Sequence, residues 1–234
     1  MSGLGCLLVP LRAAVACSWE MSRMKILHII DSLNVGGAER DLVTLVDAFK
    51  RVGIQGAFYL LNENGPLRRL VPDGCRVFTA FDRPITLVDV ASRLKPDLLQ
   101  TWVADGAILA AVPSLVLGIP HIHRIPNVPS MQFTMHPRGD SFLHRFRLAL
   151  LSADRVIAVS DTAALDAADF FGIEVPTVIY NGFPLVRAKQ RFAGGIPEGR
   201  IVITSVGRLS VEKGHRFLIE ALSGIVPSHP SVLC

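Results

Sequence analysis

Short runs of β-branched and aliphatic residues, each closed by a glycine or a small polar residue, alternate along this chain with stretches whose apolar positions fall three and four apart. Residues 25–30, KILHII, read as a first strand buried on both faces, and residues 54–61, 75–79 and 97–101 read as the next three. After the first strand, Leu42, Val43, Leu45, Val46, Phe49 and Val52 form an apolar helical stripe. Shorter helical pieces are expected around residues 66–71 and 86–94, and Asp105 stands as a cap at the head of an Ala/Leu-rich helix. His121 and His123 alternate on a further strand and share a face, in a structural or solvent-facing role, because no third ligand follows at metal-binding spacing. Residues 153–160 read as a strand whose final Ser160 caps a helix opened by Asp161 and Thr162. This alternation predicts an α/β fold built on an open, mostly parallel Rossmann-like sheet, with ligands at the carboxyl ends of its strands.

Two strand-to-helix turns carry candidate chemistry. In residues 201–215, IVITSVGRLSVEKGH, the strand-like run 201–206 stops at Gly207, Arg208 follows, and a helix starts where Lys213 and Gly214 sit. A helix N-terminus with one guanidinium and one ammonium beside it is suited to a diphosphate. On pattern alone, the competing reading is an Arg and a Lys solvated on an ordinary loop. Gly36 and Gly37 follow the first strand and leave backbone amides open to a ligand; a plain tight turn is the competing reading there. This turn lacks the GxGxxG spacing of a dinucleotide site, which disfavours an oxidoreductase.

Composition narrows the classes. Half of the 234 residues are hydrophobic and 19% are charged, which excludes a disordered chain and fits one large domain or one and a half smaller ones. A net charge of +4 suits anionic ligands or a membrane surface. Basic runs with interleaved aromatics are missing, so nucleic acid is not an expected partner. Cys6, Cys17, Cys75 and Cys234 are too scattered for a metal knuckle or a disulfide ladder, and they point to a reducing, cytoplasmic setting. Residues 1–23 mimic a signal peptide at Ala14-Val15-Ala16, but Pro10 and Arg12 interrupt the apolar stretch and no basic residue precedes it.

The segment Gly207-Arg208-Leu209-Ser210-Val211-Glu212-Lys213-Gly214, continuing to Leu218 and Glu220-Ala221-Leu222, resembles the "GRL..EKG...L..A" signature of glycosyltransferase family 4. Gly36-Gly37-Ala38-Glu39 is similar to that family's "GGAE" turn, residues 153–160 to its "AD.VIAVS" segment, and residues 178–183 to its "V.IYNG" hinge. The resemblance spans about residues 24–230, and MKILHIID from Met24 is an ordinary start for the family, so residues 1–23 are expected to be a disordered leader or a matter of start-codon choice. It implies the GT-B arrangement of two Rossmann-like domains and sugar transfer with retention from a nucleotide-sugar, using no metal and no cofactor. Arg208 and Lys213 would stabilise the leaving diphosphate; Gly36 and Gly37 would admit substrate to backbone amides; Asp105 and Asn127 would serve the acceptor, a carbohydrate or a lipid-linked sugar.

Members of the family it resembles carry either a His or an Arg-Asn pair after this strand; by spacing Pro126-Asn127 falls where that pair would be, and Arg124 is the substitute if the loop bends. Residues 121–155 hold four of seven histidines and five arginines, with Met131, Phe133, Phe142 and Phe146 among them. They are offered as peripheral contact with the inner membrane face, against the alternative of an amphipathic helix with a buried aromatic stripe. The expected division is an acceptor-side domain over 24–187, a linker over 188–200 with Gly182 as a special backbone position just before it, and the start of a donor domain over 201–234. On ordinary domain sizes roughly 130–150 further residues would complete it, including an "E-x7-E" pair. A truncated and inactive chain is therefore expected, with Ile201, Ile203, Leu218, Leu222, Ile225 and Val226 partly exposed. A silent remnant that acts as a binding domain, and a sugar-nucleotide epimerase of the same fold, are the alternatives.

Overall fold

Seven parallel strands lie side by side across a single sheet in the order Arg76–Thr79, Gln55–Leu60, Lys25–Ile30, Leu98–Thr101, His121–Ile125, Arg155–Ala158 and Thr177–Val178. They belong to a computed structural model that describes residues 24–62, 65–80, 86–182 and 199–233. The expectations for residues 1–23, for the linker over 188–198 and for a boundary at 187 lie outside the described residues. The chain falls into two compact units, Met1–Phe183 and Pro184–Cys234.

In the first unit β1 (Lys25–Ile30) leads into α1 (Gly37–Arg51), then β2 (Gln55–Leu60), a 3-10 turn (Pro66–Leu70), β3 (Arg76–Thr79) and α2 (Leu87–Leu94). β4 (Leu98–Thr101), α3 (Ala104–Leu117), β5 (His121–Ile125), α4 (Pro129–Met135), α5 (Asp140–Ser152), β6 (Arg155–Ala158), α6 (Asp161–Phe171) and β7 (Thr177–Val178) follow. β1 is flanked by β2 on one side and β4 on the other, with Leu27 opposite Ala57 and Leu99. A strand so enclosed reads as a continuous apolar run because both of its faces are covered. On one face Phe58 and Leu60 pack with Leu42, Val43 and Val46 of α1. On the other, Leu27, Ile29 and Tyr59 pack with Leu87, Val90 and Leu94 of α2 and Ala110 of α3.

Helix starts follow local chemistry. Thr86 and Asp89 form a reciprocal capping box at α2, and Ser160 accepts from the Ala163 amide at α6. Two expectations are corrected. The strand over 153–160 shortens to Arg155–Ala158 because Ala153 closes α5 and Ser160 opens α6. Asp105 does not cap α3: Val103 occupies the cap position, and Asp105 sits in the first helical turn, where a carboxylate favours the positive end of the helix.

The aromatic stripe of residues 121–155 is core. Phe142 and Phe146 are buried with Ala163, Ala167 and Phe171, and Phe133 packs against them.

In the second unit β8 (Ile201–Val202) pairs in parallel with β9 (Val232–Leu233), and a 3-10 turn (Val211–Lys213) precedes α7 (His215–Ile225). The buried strand expected over 201–206 ends at Val202. Its partner offers only two residues of register, and Ile201 and Val202 are 60% and 41% exposed. Ile225 and Val226 are exposed too, whereas Leu222 is buried. No helix among the described residues is long and apolar enough to cross a membrane.

Candidate functional site

The strand order reverses between β1 and β4, and the crevice beyond the carboxyl ends at such a switch point is where open α/β sheets take ligands. The turn after β1 is built to hold its shape. Asn34 donates its amide to Ser32 Oγ at 3.2 Å, and the Leu67 amide donates to the Leu33 carbonyl at 2.9 Å. Gly65 permits that crossing: its φ is +66°, and a Cβ there would strike the backbone of Leu33 and Asn34.

Gly36 is the N-cap of α1, and Gly37 is the first helical residue. Around Gly37 the position of a Cβ is open space, so a ligand has room to approach. At Gly36 a Cβ would run into the Glu39 carboxylate, which leans back over the start of the helix as the third-position acid of a capping box does. Glu39 thus stands at this turn, which a glycine-centred reading misses, although an acid three residues after an N-cap is a legible signal.

The turn after β4 lies beside the end of β1. The Trp102 amide donates to the Ile29 carbonyl at 3.0 Å, and its indole is buried. Asp105 pairs with Arg138 at 3.2 Å, both half exposed, and the Arg138 guanidinium lies over the Phe142 ring. Asn127 is exposed on the loop between β5 and α4, beyond the end of the next strand.

Arg124 does not bend out toward that loop. It is 5% exposed and points to the α1 face of the sheet. Its Nη2 donates to Asp41 Oδ2 at 3.0 Å and to Asn181 Oδ1 at 2.6 Å, and its Cζ stands 4.5 Å from the centre of the Trp102 ring. Burial pushes the Arg124 guanidinium down and the Asp41 carboxyl up from their ordinary values, and their mutual attraction opposes both shifts. The acceptor-side substitution considered for Arg124 is corrected accordingly. Nothing local in the sequence announces this role, since its partners lie 83 and 57 residues away. Gly182, beside Asn181, is not among the glycines with positive φ, so the special backbone expected of it is corrected too.

His121 and His123 face the other side and are buried, which removes the solvent-facing alternative. Thr101 Oγ1 lies 2.8 Å from His121 Nε2 and 2.8 Å from His123 Nδ1, and the His123 ring meets Phe146 edge to face. Burial lowers His121 to about 4, against the pull of Asp154, and lowers His123 to about 3, helped by His121 and Arg124. Among the described residues no group of three or more metal-ligating side chains converges.

In the second unit Gly207 is crowded. A Cβ there would stand 3.2 Å from His215 Nε2 and 3.4 Å from Lys213 Cγ. Close approach, not a left-handed backbone, is what a glycine serves here. His215 Nε2 lies 2.9 Å from the Arg208 carbonyl oxygen and His215 Nδ1 3.1 Å from Ser205 Oγ, so the imidazole folds the 205–213 turn around itself. Arg208 and Lys213 are both exposed on that turn, and Gly214, with φ +68°, stands at the head of α7. Gly36, Gly37 and Asp105 therefore share the switch-point edge, Asn127 lies one strand further, and Arg208 and Lys213 share a turn in their own unit.

A cavity of about 450 Å³ opens among Lys25, Lys50, Gln55, Cys75, Arg76 and Leu94, and none of these predicted site residues lines it.

Residues 35–187 match the model of Glycosyltransferase Family 4. No curated protein matches the chain by sequence. Among solved structures, Anabaena HepE in complex with UDP superposes with a TM-score of 0.65 at 21% identity, over 86% of this chain and 58% of that one. HepE in complex with UDP-glucose gives the same values. A candidate UDP-N-acetylglucosamine 2-epimerase from Listeria monocytogenes superposes with a TM-score of 0.55 at 13% identity, over 89% of this chain and 60% of that one. These likenesses are of fold, and the chain spans less than two thirds of the length of each.

Proposed function

The chain belongs to glycosyltransferase family 4, and on that premise we propose that it serves the transfer of a sugar, with retention, from a nucleotide-sugar, its first unit on the acceptor side and its second on the donor side. The observation that carries this reading is the turn at Gly207, where Arg208 and Lys213 project from one short loop at the head of a helix. The leaving diphosphate gains charge as the bond between the sugar's anomeric carbon and the phosphate oxygen breaks and the acceptor oxygen takes its place. Two cations and unpaired helix amides are the groups that stabilise such charge, and more strongly once water is excluded. HepE was solved with UDP and with UDP-glucose, which supports a nucleotide-sugar as the donor class.

On the acceptor side, the open space at Gly37, the exposed Asn127 and the half-exposed Asp105 suit a carbohydrate or a lipid-linked sugar. Contact with a membrane surface rests on exposed Met131 and Met135 with Arg138 and Arg145, because the phenylalanines nearby are consumed by the core. The reading needs no resident metal or cofactor.

Amide chemical shifts of the 234-residue chain, titrated with UDP, UMP and inorganic diphosphate, test the proposal. UDP and diphosphate are expected to move residues 207–215, with UMP far weaker, and Arg208→Ala and Lys213→Ala are each expected to weaken the response about tenfold. Equal responses to UMP and UDP, or variants that respond as the native chain does, would sink it.

A further inference from the structure

We propose that Arg124 is a positioning residue that fixes the Gly36–Gly37 turn and the segment by which the chain leaves the first unit in one register. Three elements meet on this guanidinium. Asp41 stands on α1, one turn behind the glycine pair, and accepts from Nη2 at 3.0 Å. Asn181 lies just beyond β7 and accepts from the same nitrogen at 2.6 Å. Trp102, at the end of β4, supplies the surface over which the guanidinium sits. The pair is deeply placed, with the Arg124 and Asp41 side chains 7% and 13% exposed, so it is little screened by salt and water.

The arrangement has few alternatives. Arg124 is anchored by its backbone in β5, opposite Ile157 of β6, where Ile122 and Ile125 keep parallel register with Arg155 and Ala158. Its reach is therefore set by the rigid middle of the sheet. α1 and the Ile179–Gly182 segment, by contrast, lie on separate parts of the chain and share no strand pairing. The side-chain carbonyl of Asn181 is a weak anchor by itself. Shared donation from one nitrogen makes the two contacts interdependent: a shift of α1 that draws the guanidinium toward Asp41 lengthens the bond to Asn181, and the reverse. Coupling of this kind is reciprocal between its two ends. Its importance for transfer rests on the proposed glycosyltransferase reading, in which the glycine turn meets substrate. The coupling itself is a property of the fold.

Hydrogen–deuterium exchange on the full 234-residue chain tests it, comparing the native protein with Asn181→Ala and Asp41→Asn. Asn181→Ala is expected to speed exchange about tenfold at Ile179, whose amide donates to the Ala158 carbonyl, and also at residues 40–43 of α1, with the amides of β1 and β2 unchanged. Asp41→Asn is expected to produce the reciprocal effect at Ile179. Arg124→Lys, which keeps the charge but loses the planar fork and its stacking, is expected to loosen both segments together. Effects confined to the substituted element, or spread evenly over the whole sheet, would overturn the proposal and leave Arg124 a purely structural residue. UDP titration of the native chain separates the two readings. Coupled exchange without UDP binding would leave the positioning role standing and remove the proposed nucleotide-sugar role of this chain, whereas binding without coupling would remove only the positioning role.

Discussion

The Arg124 guanidinium sits over the indole of Trp102, 4.5 Å from Cζ to ring centre, with both residues buried at the carboxyl edge of the sheet. A desolvated cation over an aromatic face is worth about 1–2 kcal/mol beyond packing. Trp102→Phe, which keeps a smaller aromatic face, is expected to cost about 1 kcal/mol, and Trp102→Leu about 3 kcal/mol through the added loss of volume. Urea unfolding monitored by circular dichroism checks this; equal losses for the two variants would remove the cation–ring contribution.

Acid is expected to destabilise the first unit earlier than carboxylate titration alone would. His28, His121 and His123 are buried neutral, with values lowered by burial to about 3, 4 and 3. An unfolded histidine titrates near 6.5, so below that pH the unfolded chain gains protons that the folded chain refuses. Stability is therefore complete above about pH 6.5 and falls as pH drops toward 4, by roughly 1.4 kcal/mol per pH unit for each histidine. Urea midpoints at pH 7.5 and 5.5 measure the effect, and identical midpoints would contradict it.

Thr101→Val removes the hydroxyl shared by two buried imidazoles and is expected to cost about 2–3 kcal/mol, because it strands polar nitrogens where water cannot reach. Thr101→Ser is expected to recover most of that. A serine variant as unstable as the valine one would point to the lost methyl packing instead.

Two glycine-to-alanine changes separate folding from ligand access. Gly37→Ala adds a methyl in open space at the first position of α1 and is expected to leave stability unchanged or raise it by about 0.5 kcal/mol. If substrate approaches the amides there, the same variant lowers turnover in a transfer assay. Gly207→Ala pushes against His215 and Lys213 and is expected to weaken UDP binding several-fold while leaving the unfolding of the first unit unchanged. Retained UDP affinity in Gly207→Ala would show that the turn tolerates a Cβ.

What the sequence discloses depends on how local the cause is. β1 is legible in its bounds, because enclosure on both faces demands Ile26, Leu27, Ile29 and Ile30, with His28 as the one polar residue buried among them. The cap at Ser160 is legible for the same reason, since donor and acceptor lie three residues apart. β8 is shorter than its letters suggest: Ile203, Thr204 and Val206 favour a strand intrinsically, but extended backbone needs a neighbour to accept its hydrogen bonds, and β9 supplies two residues. The switch-point edge follows from the alternation of elements, whereas the bond from Arg124 to Asn181 does not. No periodicity within a segment reports on a partner 57 residues away.

The Thr101 hydroxyl has one hydrogen to give, and when it goes to an imidazole at 2.8 Å instead of the Ile122 carbonyl at 3.5 Å, it ties together the tautomers of its two neighbours. If it donates to His123 Nδ1, it is free to accept from His121 Nε2, and both rings carry their proton on Nε2. If it donates to His121 Nε2 instead, both carry it on Nδ1. The second state would leave His121 with a buried N–H that has no acceptor among the described residues, so the first is favoured. The pair then behaves as one ordered wire with a single polarity, and nitrogen chemical shifts of the two imidazoles should change together or not at all.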